Sequence, residues 1–183
     1  MPLGVGEYLA KWGVATDKVN ELDWWQSVDL DGVKFTATPA QHFSGRGLSD
    51  RNKTLWASWV VTTATHNIFY SGDGGYFDGF KKIGAMLGPF DLAILENGAY
   101  DENWSSVHMM PAQTIQAHQD LNARVLLPVH NSTFDLAFHP WYDPLAKLSV
   151  LALEQDIKLA TPIIGEQYLL GEEVPSSPWW EFD

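Results

Sequence analysis

The sequence contains no cysteine, which excludes a disulfide framework, a thiolate zinc site and a cysteine nucleophile together. Any metal must therefore be held by His, Asp and Glu. Basic residues are scarce, with 11 Lys+Arg against 23 Asp+Glu and a formal net charge of −12. Without clustered Lys or Arg to neutralise phosphates, nucleic acid is not the expected partner. Long apolar runs are missing too, and none approaches the roughly 18 residues that a membrane-spanning helix needs. The opening M-P-L-G-V-G-E-Y has neither the basic start nor the apolar core of a secretory signal. We expect a cytoplasmic protein without a transmembrane segment, and leave open a peripheral association with a membrane. The common catalytic signatures are also absent: there is no G-x-G-x-x-G, P-loop, H-E-x-x-H, EF-hand loop or G-x-S-x-G.

What is present reads as a globular domain. The apolar fraction is 45% and the charged fraction 19%, and no repeat or linker divides the 183 residues, so a single domain over 1–183 is expected. Nine tryptophans are a heavy load, and neighbours such as Trp24-Trp25 and Trp179-Trp180 cannot both point into one core. Part of that aromatic surface is expected to be covered by a ligand or another chain.

Local patterns give an element order. A short helix closed by glycine is predicted over 4–13, then strands over 19–30 and 33–38 joined by Asp31-Gly32, a hairpin signal. A second hairpin is predicted from 55–63 and 67–71. Thereafter helix and strand alternate, with helices over 76–87, 111–121 and 144–156 and strands over 91–95 and 124–129. Hairpins followed by α/β units predict an α/β protein with mixed sheets flanked by helices.

Polar residues stand just after three of these strands, where α/β sheets usually bind ligands. T-A-T-P-A-Q-H leads to His42, F-Y-S-G-D-G-G carries Asp73 and L-L-P-V-H leads to His130. Imidazole and carboxylate together suit zinc, manganese or iron. His108 precedes Pro111 at a helix start, where an anion could be favoured. For single residues the plainer alternatives are a capped strand end for His42, a turn aspartate for Asp73 and a buried histidine for His130. His66 and His139 read as turn and loop residues, and His118 as a packing or surface residue of its helix.

Several motifs in one order are more specific than any of them alone. T-P-A-Q-H at 38–42, L-W-A-S-W-V-V at 55–61, F-Y-S-G-D-G-G-Y at 69–76, G-P-F-D-L-A at 88–93, G-A-Y at 98–100 and P-V-H-N-S-T-F at 128–134 are such a series. In these the chain resembles the C-terminal part of a metallo-β-lactamase-fold hydrolase. The branch is that of N-acyl-phosphatidylethanolamine phospholipase D and of bacterial zinc-dependent or outer-membrane-associated hydrolases. The resemblance implies an αβ/βα sandwich, N-terminally incomplete, and a zinc-dependent hydrolase of a phosphodiester or related ester, with a small-molecule or phospholipid-like substrate. It implies that His42, Asp73 and His130 are zinc ligands, Asp73 bridging two metals, and that His108 belongs to the active-site region with a catalytic role beside Asp73.

The family signature H-x-H-x-D-H has no counterpart, because no H-x-H occurs anywhere in the chain. Gly74 stands where threonine is usual after the bridging aspartate, and Asn131-Ser132 where Trp-Gly is common in the phospholipase branch. A truncated enzyme of doubtful activity is therefore expected, as a homo-oligomer or with a complementing N-terminal fragment. The alternative is a non-catalytic module that buries its uncovered sheet face by dimerising. A sugar-binding domain, suggested by the tryptophans and the acidity, lacks a convincing carboxylate pair.

Overall fold

The computed structural model describes residues 1–45 and 47–181. Its centre is a seven-stranded sheet in the order β1-β2-β3-β4-β5-β6-β7, so each strand lies beside its sequence neighbours. The strands are β1 (Ser27–Leu30), β2 (Val33–Thr38), β3 (Ser58–Thr62), β4 (Asn67–Tyr70), β5 (Phe90–Glu96), β6 (Ala123–Val129) and β7 (Lys158–Leu159). The first three pairings are antiparallel and the last three parallel. This is the mixed sheet expected of an α/β protein, present as one continuous sheet among the described residues.

The first hairpin turns where the sequence predicts it. Leu30 pairs with Val33, and Asp31 and Gly32 both take positive φ, 52° and 82°. Two left-handed residues in a two-residue loop match the right-handed twist of the flanking strands. The strand predicted over 19–30 is shorter, and only Ser27–Leu30 pairs regularly. Trp25 donates its N–H to the Ala37 carbonyl, and Ala37 donates back to Gln26, so two residues oppose one. With Trp25 at φ 71° this is a β-bulge, and it ends the ladder.

The helices are α1 (Gly6–Lys11), α2 (Gly79–Leu87), α3 (Pro111–Asp120) and α4 (Asp143–Glu154). The helix predicted from residue 76 begins at Gly79 instead. Tyr76 and Phe77 act as packing residues ahead of it, both rings lying against Phe80, while the Tyr76 hydroxyl donates to Asp120 on α3. That contact pushes the Tyr76 pKa up to about 12, with burial adding to it.

Alternation along the strands gives the sheet two faces. Val60, Phe69, Ala93 and Leu126 point to the helices and join Phe80, Ile83, Phe90, Ile115, Leu121 and Leu148 in the main core. Burying each such side chain contributes about 1.5–3 kcal/mol before the entropy of ordering it. The opposite face carries Leu92 and Val125, with Ile68, Ile94 and Leu127, and is roofed by Tyr168, Leu170 and Val174 of the C-terminal segment. Farther along that face Tyr70 is 44% exposed.

The topology also sets the position of the loops. β2 and β4 are both antiparallel to β3 and so run the same way, and β5, β6 and β7 run parallel to β4. The C-terminal ends of β2, β4, β5 and β6 therefore meet at one edge.

Candidate metal centre

That edge receives every residue singled out from the sequence. His42 follows β2, Asp73 follows β4 and His130 follows β6. His108 comes from the segment between β5 and α3. The His108 ring centroid lies 5.7 Å from that of His42 and 5.4 Å from that of His130, the latter pair stacked. His130 Nδ1 is 3.9 Å from Asp73 Oδ1, an ion-pair distance rather than a hydrogen bond.

One further residue joins them. Glu96, the last residue of β5, offers a carboxylate oxygen that lies with one ring nitrogen each of His108 and His130 within 4.8 Å of one another. The strand predicted over 91–95 stops one residue short of it. Its Oε1 is 3.1 Å from His108 Nδ1, and its Oε2 accepts the Met109 N–H at 2.9 Å. Exposure rises outward through the cluster: Glu96 is at 0%, the His108 side chain at 17%, that of His130 at 31% and that of Asp73 at 49%.

The loops are braced against each other by backbone contacts. Gly75 N–H donates to the Gln41 carbonyl, and the Gln41 side chain donates to the Ser106 carbonyl, joining the loops that carry Asp73, His42 and His108. A Cβ on Gly75 would overlap the Ser106 carbonyl, so only glycine fits. A Cβ on Gly74 would meet Gln41 at ordinary contact distance, so the brace does not dictate glycine there. His130 sits at φ 64°, a left-handed conformation that a non-glycine residue adopts at some cost. The start of α3 is closed by its own residues, because Gln113 Oε1 accepts the Met110 N–H. An anion there would have to compete with that contact.

The donor chemistry fits a borderline divalent cation. Imidazole and carboxylate, with no thiolate, are the nitrogen and oxygen set that zinc, manganese and iron share; among the described residues the donors within 4.8 Å of one another are those of Glu96, His108 and His130, while His42 and Asp73 of the expected ligand set stand beside that group rather than in it. The His42 Nδ1 faces the Phe43 carbonyl at 2.9 Å; a carbonyl only accepts, so Nδ1 carries the proton and Nε2 keeps its lone pair. A cleft of about 480 Å³ opens beside His42 and Asp73, with Tyr8, Leu55, Trp56 and Tyr70 in its walls.

The remaining histidines lie elsewhere. His66 is in the β3–β4 turn and His139 stacks on Tyr100. His118 is buried in α3 at 4% exposure, a packing residue.

The profile of a family described as "Beta-lactamase superfamily domain" matches residues 1–131. The chain belongs to the metallo-β-lactamase superfamily. It is 43% identical over 183 residues to an uncharacterized protein of Mycobacterium tuberculosis, covering 98% of this chain and 49% of that one. It is 36% identical over 170 residues to N-acyl-phosphatidylethanolamine-hydrolyzing phospholipase D 1 of Caenorhabditis elegans, covering 86% and 48%. The chain thus spans about half the length of these curated relatives. Among solved structures its fold is similar to that of Igni18, a metallo hydrolase of Ignicoccus hospitalis, with a TM-score of 0.60, 20% identity and coverage of 85% and 62%. Membership places this chain in a family of metal-dependent hydrolases. Among the described residues no helix is long and apolar enough to cross a membrane.

Proposed function

We propose that this chain carries part of the donor set of a zinc-dependent hydrolase acting on a phosphodiester or related ester. The observation that supports this best is the meeting of His42, His108 and His130 at one sheet edge, with Asp73 at its rim. His42, His130 and Asp73 would hold zinc. A bound cation would polarise the ester oxygen and lower the pKa of water, which is the chemistry such hydrolysis needs. His108, deeper than the rest, would hold or move a proton at Nε2. The neighbouring cleft would seat the substrate's flanking group against Tyr70 and Trp56.

A two-metal site needs more ligands than these, and no H-x-H occurs in the sequence. The hydrolase reading therefore calls for further histidines from a segment or chain bearing H-x-H-x-D-H. Phospholipids enter as a substrate class through the Caenorhabditis relative, whose name specifies N-acyl-phosphatidylethanolamine.

The test is zinc content together with hydrolysis of bis-para-nitrophenyl phosphate, alone and after mixing with a polypeptide that carries the motif. Stoichiometric zinc and turnover, both lost in His42→Ala and Asp73→Ala, support the enzyme. A second reading, a non-catalytic module that dimerises through its sheet, draws on the exposure of Tyr70 on the face opposite the helices. A dimer that stays metal-free and inactive after the motif-bearing polypeptide is added would favour it and sink the first.

A further inference from the structure

Glu96 is held at both carboxylate oxygens and at both backbone polar groups. Met109 N–H donates to Oε2 at 2.9 Å and Gly98 N–H approaches Oε1 at 3.4 Å. The Glu96 backbone is fixed as well: its N–H donates to Ser71 Oγ at 3.0 Å, and its carbonyl accepts from Thr114 Oγ1 at 3.3 Å. Ser71 leads directly into the Gly72-Asp73 turn. One fully buried residue thus contacts both the start of the Asp73 loop and, through Oε1, the Nδ1 of His108.

We propose that Glu96 is a positioning residue for His108: its carboxylate fixes the ring as the Nδ1–H tautomer and leaves the lone pair on Nε2. A neutral imidazole carries its proton on one nitrogen, and the partner of that nitrogen decides which. The ionised carboxylate has acceptor sites only, so the nitrogen facing it carries the hydrogen. Carboxylate–histidine pairs of this kind orient histidines at metal sites and raise their basicity.

Glu96 is near enough to His108 and His130 to share a cation with them. Its hydrogen bonds argue for the positioning role instead. Oε1, the oxygen nearest the histidines, is faced by both His108 Nδ1 and the fixed Gly98 N–H, so a cation there would have to displace one of them. What the His108 lone pair does, whether as ligand or as proton acceptor, rests on the hydrolase reading above; the tautomer itself does not.

Glutamine at this position makes the distinction measurable. It keeps the shape but has one acceptor oxygen where glutamate has two. If that oxygen stays on the Met109 N–H, the amide NH₂ faces His108 Nδ1 and demands that it accept. The ring must then carry its proton on Nε2, and the lone pair moves to Nδ1.

The experiment is long-range ¹H–¹⁵N correlation spectroscopy of the metal-free, histidine-labelled protein, above the ordinary histidine pKa of about 6.5. The His108 signals are identified by their loss in His108→Asn. We expect Nδ1 to be protonated in the wild type, a shift toward Nε2–H in Glu96→Gln, and a return toward Nδ1–H in Glu96→Asp, which restores the second acceptor. Zinc affinity, read by competition with a chelating dye, should fall about 10–100-fold in Glu96→Gln. A wild-type His108 protonated on Nε2 overturns the proposal without any variant. So does an unchanged tautomer in Glu96→Leu, which has no acceptor oxygen at all, even if zinc is lost, since Glu96 would then act as a ligand. A wild-type protein that takes up no zinc even with the motif-bearing polypeptide present would remove the hydrolase reading while leaving the tautomer measurement to decide this one.

Discussion

Gly98 lies directly beneath the backbone of His130, so that a Cβ on Gly98 would overlap the His130 carbonyl oxygen. The close approach joins the end of β5 to the end of β6 and seats His130 in its left-handed conformation. We expect Gly98→Ala to push the 130 loop outward and to cost about 1–3 kcal/mol, the usual range for overpacking. Urea denaturation checks the stability. Zinc affinity should fall as well, and a variant with wild-type values for both would show that the contact is not restrictive.

His118 makes the fold sensitive to acid. Burial pushes its pKa down to about 4, and its Nδ1 has no hydrogen-bond partner. In the unfolded chain it titrates near 6.5, so between these values the unfolded state binds the extra proton. Its stabilising contribution is full above about pH 6.5 and is lost as pH falls toward 4, by about 3 kcal/mol in total. Denaturation midpoints measured across this window should fall less steeply in His118→Leu than in the wild type. Parallel profiles would sink the assignment.

Tyr100 is buried at 3% exposure, and its hydroxyl donates to Asp143 at the start of α4. Burial first, and then that carboxylate, drives the phenol pKa well above its ordinary value. Asp143 is held below the ordinary carboxylate value: burial alone would raise it, but hydrogen bonds from Lys147 and Tyr100 outweigh that. Tyr100→Phe keeps the ring stacked on His139 and removes only the hydroxyl. A loss of about 1.5–3 kcal/mol is expected, as for hydrogen bonds to charged groups. Calorimetry on the two proteins measures it, and an unchanged melting temperature would contradict it.

Cation binding should register as stability. A cation that binds the folded chain alone adds about 2.7 kcal/mol at 100 times its dissociation constant. For a domain of this size the melting temperature would rise by roughly 5–10 °C. Zinc titrated into chelator-treated protein should produce that rise, and His42→Ala should reduce it. No shift at saturating zinc would count against the centre.

Much of this was legible from short-range chemistry. Asp31-Gly32 announced a hairpin because few residue pairs accept two left-handed conformations, β5 and β6 followed from nearly continuous apolar runs, and Pro111 marked the first turn of α3. The rule that polar residues at strand ends carry function singled out His42, Asp73 and His130, and the fold brings the ends that carry them to one sheet edge. Glu96 obeys the same rule, as a charged residue closing an apolar strand before Asn97-Gly98, but it stands one residue beyond the apolar run that marks the strand. Its bond to His108 could not be read, since it depends on how the 97–107 segment folds back. The bulge at Trp25 was hidden for a similar reason: a tryptophan at positive φ is held by its hydrogen bonds to β2, not by its own preference. β7 has two residues, too few for a pattern.

The strictly sequential strand order also bears on how the protein comes into being. A ribosome delivers the sheet one neighbour at a time, each new strand finding its partner already made. When β4 has emerged, only His42 and Asp73 stand at the shared edge; Glu96 and His108 follow, and His130 arrives after β6. If these residues hold zinc as proposed, the donors of this chain come together only after β6 has emerged, when most of its hydrophobic core can close around them.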